Sequence, residues 1–111
     1  MAFFQLDDIA PELVTPKHST AFGPLVTGEK VEIGVLSYNG TEGANPHSHP
    51  HEQIILVLKG RARMTIGDEV KEIGPRQGAH IPPNVLHKLE ALEDLQIVSC
   101  KSVIDGVGHK I

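Results

Sequence analysis

Turn spacing is the feature that most limits what this chain can become. No stretch sustains the apolar period of an amphipathic helix. Short aliphatic and β-branched runs are instead broken at strand-length intervals by Gly, Pro, Asn or Asp. Val31–Ser37 ends at Asn39-Gly40, and Gln53–Leu58 closes at Lys59-Gly60. Arg61–Ile66 alternates, with Ala62, Met64 and Ile66 on one face, and Gly67-Asp68 reads as a two-residue hairpin turn into Glu69–Ile73. Further strands are expected at Ala79–Ile81, Leu86–Ala91 and Leu95–Lys101. Phe4–Val14 allows one or two helical turns at most, because Pro11 and Pro16 stop any helix. The pattern predicts an all-β sandwich or barrel. With 111 residues there is room for one domain: an arm at 1–25, a barrel at about 26–104, and a polar tail at 105–111 expected to fray. Trp is absent and aromatics are 4%, so the core must be aliphatic. It is also thin for its surface, and the segment Val14–Val26 has no obvious partner in its own chain; both features predict a homodimer.

Charge removes several functions. The net charge is −4 and no Lys/Arg run occurs, so nucleic acid is not an expected partner. One cysteine, Cys100, excludes an internal disulfide and fits a reducing cytoplasm. It is expected as a small buried residue of the last strand. The N-terminus shows no secretory signal pattern, and the longest apolar run, Ile54–Leu58, is too short to span a membrane. The expected setting is cytoplasmic, with no membrane partner.

Histidine is over-represented, with seven in the chain, and three fall in His47-Ser48-His49-Pro50-His51-Glu52-Gln53. Residues i and i+2 of a strand share a face about 6.6 Å apart, so His47 and His49 can aim two imidazoles at one ion. Gln53 has the same parity, but on a straight strand it would lie about 13 Å beyond His49. The chain must therefore bend, most simply at Pro50, with Gln53 opening the next strand. A second ribbon, Pro82-Pro83-Asn84-Val85-Leu86-His87, also ends in histidine. The two ribbons could close His47, His49, Gln53 and His87 around one ion in a barrel mouth. His51 is either an exposed turn residue, a partner to a ligand, a ligand in place of His49 or Gln53, or a base. Tyr38 is a rim residue or a proton donor. Arg61 and Arg63 lie on a solvated strand face or bind a substrate carboxylate. His18, His80 and His109 are expected to be ordinary.

The spacing from Gly43 through His47-Ser48-His49 and Gln53 to Gly60, with a second motif from Gly78 to His87, resembles the cupin family. The resemblance implies a jelly-roll β-barrel (a double-stranded β-helix), often dimeric, with one divalent metal held by His47, His49, Gln53 and His87. Zinc, nickel, manganese and iron all suit such a donor set. The family's usual fourth ligand is Glu. A neutral Gln53 would leave a bound ion its full charge, making it a stronger Lewis acid but less firmly retained.

The run His-x-His-Pro-His-Glu-Gln also resembles small pectin-degradation cupins, which open unsaturated uronic acids into linear keto acids. That group carries an Asp, an aromatic and an Arg on and after its last strand. The matching positions here are Gln96, Val98 and Ser102, so the acid/base and substrate-anchoring set differs. Three functions follow. One is a metal-dependent isomerase or lyase acting on a small anionic or sugar-acid-like molecule, with His51 or Tyr38 as the proton-moving group. The second is a mononuclear iron dioxygenase, and the third a non-enzymatic module that binds metal or a small ligand.

Overall fold

The computed structural model describes residues 2–111. The closely spaced turns produce one 3-10 turn (Leu6–Asp8) and eleven strands among the described residues. These are β1 (Glu12–Leu13), β2 (Phe22–Gly23), β3 (Leu25–Thr27), β4 (Val31–Tyr38), β5 (Gly43–His47) and β6 (Gln53–Lys59), followed by β7 (Ala62–Ile66), β8 (Glu69–Ile73), β9 (Gly78–Ile81), β10 (His87–Ala91) and β11 (Leu95–Ser102). Seven strands form one sheet, in the order β1-β2-β4-β11-β6-β9 with β3 also on β4. The other sheet has the order β5-β10-β7-β8. All named pairings are antiparallel. This is the jelly roll that the sequence predicts. The two sheets do not close on each other; a groove of about 560 Å³, lined by Met64, Ile66, Ile73, Ala79 and Pro82 among others, opens between them.

Period-two alternation decides what each strand buries. On β11, Leu95, Ile97, Ser99 and Lys101 all face inward and are buried. Ile97 pairs with Leu36 on β4 and Val57 on β6, giving an aliphatic layer. Lys101 pairs with Glu32 on β4 and Gln53 on β6, giving a polar one. The facing sheet repeats this order. Ala91 pairs with Ala62, Leu89 with Met64, and His87 with His47. The core is thus aliphatic at one end and polar at the other. The close approach of β5 to β10 needs Gly43, where a Cβ would sit 2.0 Å from the Leu89 carbonyl oxygen.

Three sequence expectations are corrected. The segment Val14–Val26 is not short of partners: β2 and β3 pair with β4, and Val14 and Ala21 enter the core. Cys100 sits on the outward face of β11 and is only half-buried. The tail does not fray. Asp105 and Gly106, both at positive φ, turn the chain tightly so that Ile104 and Val107 exchange backbone hydrogen bonds. His109 is then only 2% exposed.

The tail is held by a buried carboxylate. Glu32 Oε1 accepts the backbone N–H of His109 at 2.6 Å and its Nδ1–H at 2.5 Å. Oε2 accepts from Thr27 Oγ1 at 2.6 Å, and Thr15 Oγ1 donates to the His109 carbonyl at 2.7 Å. Burial by itself would push the Glu32 carboxyl up. The hydrogen bonds from His109 and Thr27 outweigh it and bring the group down to about 2. The unfolded chain takes up a proton here as pH drops below 4.5, whereas the fold resists until about 2, so folding stability must fall through that window. The gap in melting temperature between the natural protein and Glu32→Gln should be widest near neutral pH and narrow from pH 4.5 to 2. A gap that stays constant would show that Glu32 is not an ionised acceptor.

Candidate metal centre

The polar end of the core gathers three imidazoles. His47 closes β5 in the four-stranded sheet, and His87 opens β10 directly beside it. His49 lies off the strands, in the connection that crosses to Gln53, the first residue of β6 in the other sheet. The bend predicted around Pro50 is therefore a crossover between sheets. One ring nitrogen each from His47, His49 and His87 lies within 4.8 Å of the others. Ring centroids are 4.4 Å apart for His47 and His87, 4.8 Å for His49 and His87, and 5.7 Å for His47 and His49.

Each ring is oriented by a backbone carbonyl. Nδ1 of His47 bonds to the Asn45 oxygen at 2.6 Å, Nδ1 of His49 to the His51 oxygen at 3.0 Å, and Nδ1 of His87 to the Val85 oxygen at 2.8 Å. A carbonyl can only accept, so all three Nδ1 atoms carry the proton. The Nε2 atoms are left with lone pairs. Burial pushes all three rings below the usual histidine range, and His49 falls to about 4, with the charges of Lys101 and His87 adding to the effect of burial. At neutral pH these are uncharged imidazoles whose lone pairs converge, the state that metal ligation requires.

Gln53 joins them, with Oε1 3.2 Å from His49 Nε2 and Nε2 donating to Ser99 Oγ at 2.9 Å. Ligands about 2.0–2.1 Å from a shared ion lie roughly 3 Å apart, and this oxygen and nitrogen have that separation. A cavity of about 40 Å³ is lined by His47, Gln53 and His87 together with Lys101, Ser99 and Tyr38. It suits an ion or a water molecule rather than an organic substrate.

The other expected site residues lie elsewhere. His51 is buried beside His49; its Nε2 donates to the Val107 carbonyl at 2.8 Å, and its Nδ1 is sealed without a partner. It pins the tail and is not the exposed turn residue of the first alternative. Tyr38 is in the core and not on a rim. Burial pushes its hydroxyl up to about 12, against a smaller opposing effect of Ser19. Arg61 and Arg63 flank Glu72 at the surface, at 3.6 Å and 3.2 Å. His18 stacks on His47 with centroids 4.7 Å apart, and His80 pairs with Glu52 at 2.6 Å.

Lys101, Ser99 and Glu32 escaped the sequence reading, and His109, expected to be ordinary, is instead a buried partner of both Glu32 and Ser99. The alternation Leu95-Ile97-Ser99-Lys101 on one face of the last strand was the available signal for two of them. Lys101 is 3% exposed and forms no ion pair among the described residues. Burial brings its amine down to about 8, with Glu32 opposing.

The cupin domain model matches residues 34–100, which span both histidine motifs and most of the strands. The chain belongs to the cupin family. An RmlC-like cupin from Shewanella frigidimarina shares its fold at a TM-score of 0.82 and 14% identity, over 92% of this chain and 90% of that one. KdgF from a Halomonas species superposes at a TM-score of 0.79 with 21% identity, over 92% of this chain and 93% of the other. In sequence, this cupin is 36% identical over 55 residues to an H2HPP isomerase of Bacillus subtilis, a match covering 49% of this chain and 23% of that protein. No helix among the described residues is long and apolar enough to cross a membrane.

Removing one imidazole should break the cluster. His49→Ala is expected to abolish stoichiometric zinc binding in calorimetric titration without unfolding the barrel. Undiminished binding would place any metal elsewhere.

Proposed function

We propose that this cupin is a metal-dependent isomerase or lyase acting on a small anionic molecule such as a sugar acid or oxo acid. The observation that carries the reading is the convergence of three neutral imidazoles, each with its Nδ1–H committed to a carbonyl. His47, His49, His87 and Gln53 would hold one divalent ion, drawn from zinc, nickel, manganese or iron. When bound, the ion supplies Lewis acidity for a carbonyl or enol oxygen.

The chain's own contribution centres on Lys101. As an unpaired ammonium in the cavity wall, it attracts a carboxylate or enolate of the substrate. With a pKa near 8, it can also give up a proton at working pH, which a double-bond shift or ring opening needs. This cation on the last strand takes the place of the arginine missing at Ser102. The surrounding aliphatic layer keeps water from the inner side. Since the cavity holds little more than an ion, the organic part of the substrate sits at the mouth. The isomerase among the sequence relatives supports the reaction class. Tyr38 stays protonated in the core and His51 holds the tail, so we assign neither of them the proton transfer.

Metal analysis of protein purified without a nickel column tests this reading. Zinc, nickel or manganese without oxygen consumption is the expected result; iron with oxygen consumption would favour the dioxygenase. In cobalt-substituted protein, oxalate or malonate should perturb the visible spectrum, and Lys101→Met should weaken that response about tenfold or more, the scale of losing a charged hydrogen bond. An unchanged response would remove Lys101 from the site.

We also propose a homodimer. The outer face of the seven-stranded sheet exposes Val31, Ile33, Ile54, Leu56 and Leu58, an apolar surface of the kind that marks an interface. Light scattering should give a dimer mass for the natural protein and a monomer mass for Ile54→Glu combined with Leu56→Glu. The same mass for both would overturn the assignment to this face.

A further inference from the structure

The carboxamide of Gln53 has two ends of nearly equal shape. Packing cannot choose which one faces the imidazoles, so hydrogen bonds must. The structure contains a chain of bonds that makes this choice. It begins at Glu32, an ionised carboxylate that can only accept, so His109 Nδ1 carries the proton of their 2.5 Å contact. Burial keeps the His109 ring neutral by lowering its proton affinity, with Glu32 opposing and Lys101 and His51 reinforcing the effect. His109 Nε2 is then an acceptor, and its partner is Ser99 Oγ at 2.8 Å. The single hydroxyl proton of Ser99 is used there. Ser99 Oγ can meet Gln53 only as an acceptor, so Gln53 must offer its NH₂ at 2.9 Å. Oε1 is left facing His49 Nε2 at 3.2 Å. That nitrogen has no proton either, because His49 Nδ1–H is committed to the His51 carbonyl. Two lone pairs face each other, and a shared cation makes such a contact favourable.

We propose that Glu32, His109 and Ser99 form a buried positioning relay that forces Gln53 to present oxygen, not NH₂, to the three imidazoles. The inference rests on the metal reading above. It makes the folded tail a support of the proposed metal site, although none of the four residues that would hold the ion lies in the tail. It also explains how a neutral glutamine serves where a carboxylate, with two equivalent oxygens, would need no such control.

The test is cobalt(II) titration followed by the visible spectrum, applied to the natural protein, Ser99→Ala and His109→Asn. The asparagine keeps a donor for Glu32 while removing the acceptor for Ser99. Each change is also made together with Gln53→Glu, which offers oxygen in either orientation. With Gln53 present, both variants should bind cobalt about tenfold or more weakly, the scale seen when partners of metal ligands are lost. They should also alter the band shape. With Gln53→Glu, the same variants should shift affinity by less than about threefold, because the coupled partner is gone. Unchanged affinity beside Gln53, or equal losses in both backgrounds, would overturn the relay. Failure of the natural protein to bind cobalt would overturn the metal reading instead.

Discussion

Register across three strands is the constraint on which the rest depends. β4, β11 and β6 pair so that Glu32, Lys101 and Gln53 stand in one inward row. Two residues along, the row is Gly34, Ser99 and Ile55; two further, it is Leu36, Ile97 and Val57. A slip of one residue in β11 would turn Lys101 and Ser99 to solvent and bring Cys100 and Val98 inward. The aliphatic rows resist that slip because they would lose their burial. Hydrophobic packing at one end of the core thus holds the polar chemistry at the other.

The polar end is costly to build. A buried carboxylate, a buried lysine and several buried imidazoles would each be unfavourable alone. The structure offsets the cost by commitment: carbonyls of Asn45, His51 and Val85 take the Nδ1 protons, and Glu32 takes three donors from Thr27 and His109. Lys101 is the exception, with no ion-pair partner among the described residues. In a wall facing a cavity, an unpaired cation is a specific attraction for an anion. The small cavity thus has neutral imidazoles and a glutamine on one part of its wall and a lysine on another.

Much of the fold was legible in local pattern. Strands β4 and β6 to β11 follow the predicted runs closely, since alternation and Gly/Asn turn chemistry act over a few residues. The His47, His49, Gln53 and His87 grouping was legible from spacing and the bend at Pro50. The tail was misread because its polarity resembles an unfolded end. Its Asp-Gly turn was visible, but the destination of His109 depends on Glu32, distant in sequence. The burial of His51 and Tyr38 was not legible for a related reason: their surroundings come from segments far along the chain.

The sequence by itself determined the class of fold, the aliphatic nature of its core, and which histidines had metal-ligand spacing. These follow from short-range periodicity and from the chemical types of the side chains. Only the tertiary structure decided the direction of each proton: which nitrogen of each imidazole is free, which end of Gln53 faces the cluster, and why burial brings the Lys101 amine down to about 8. Those properties depend on donors and acceptors brought together by strand pairing across the whole chain, and no local pattern carries that information.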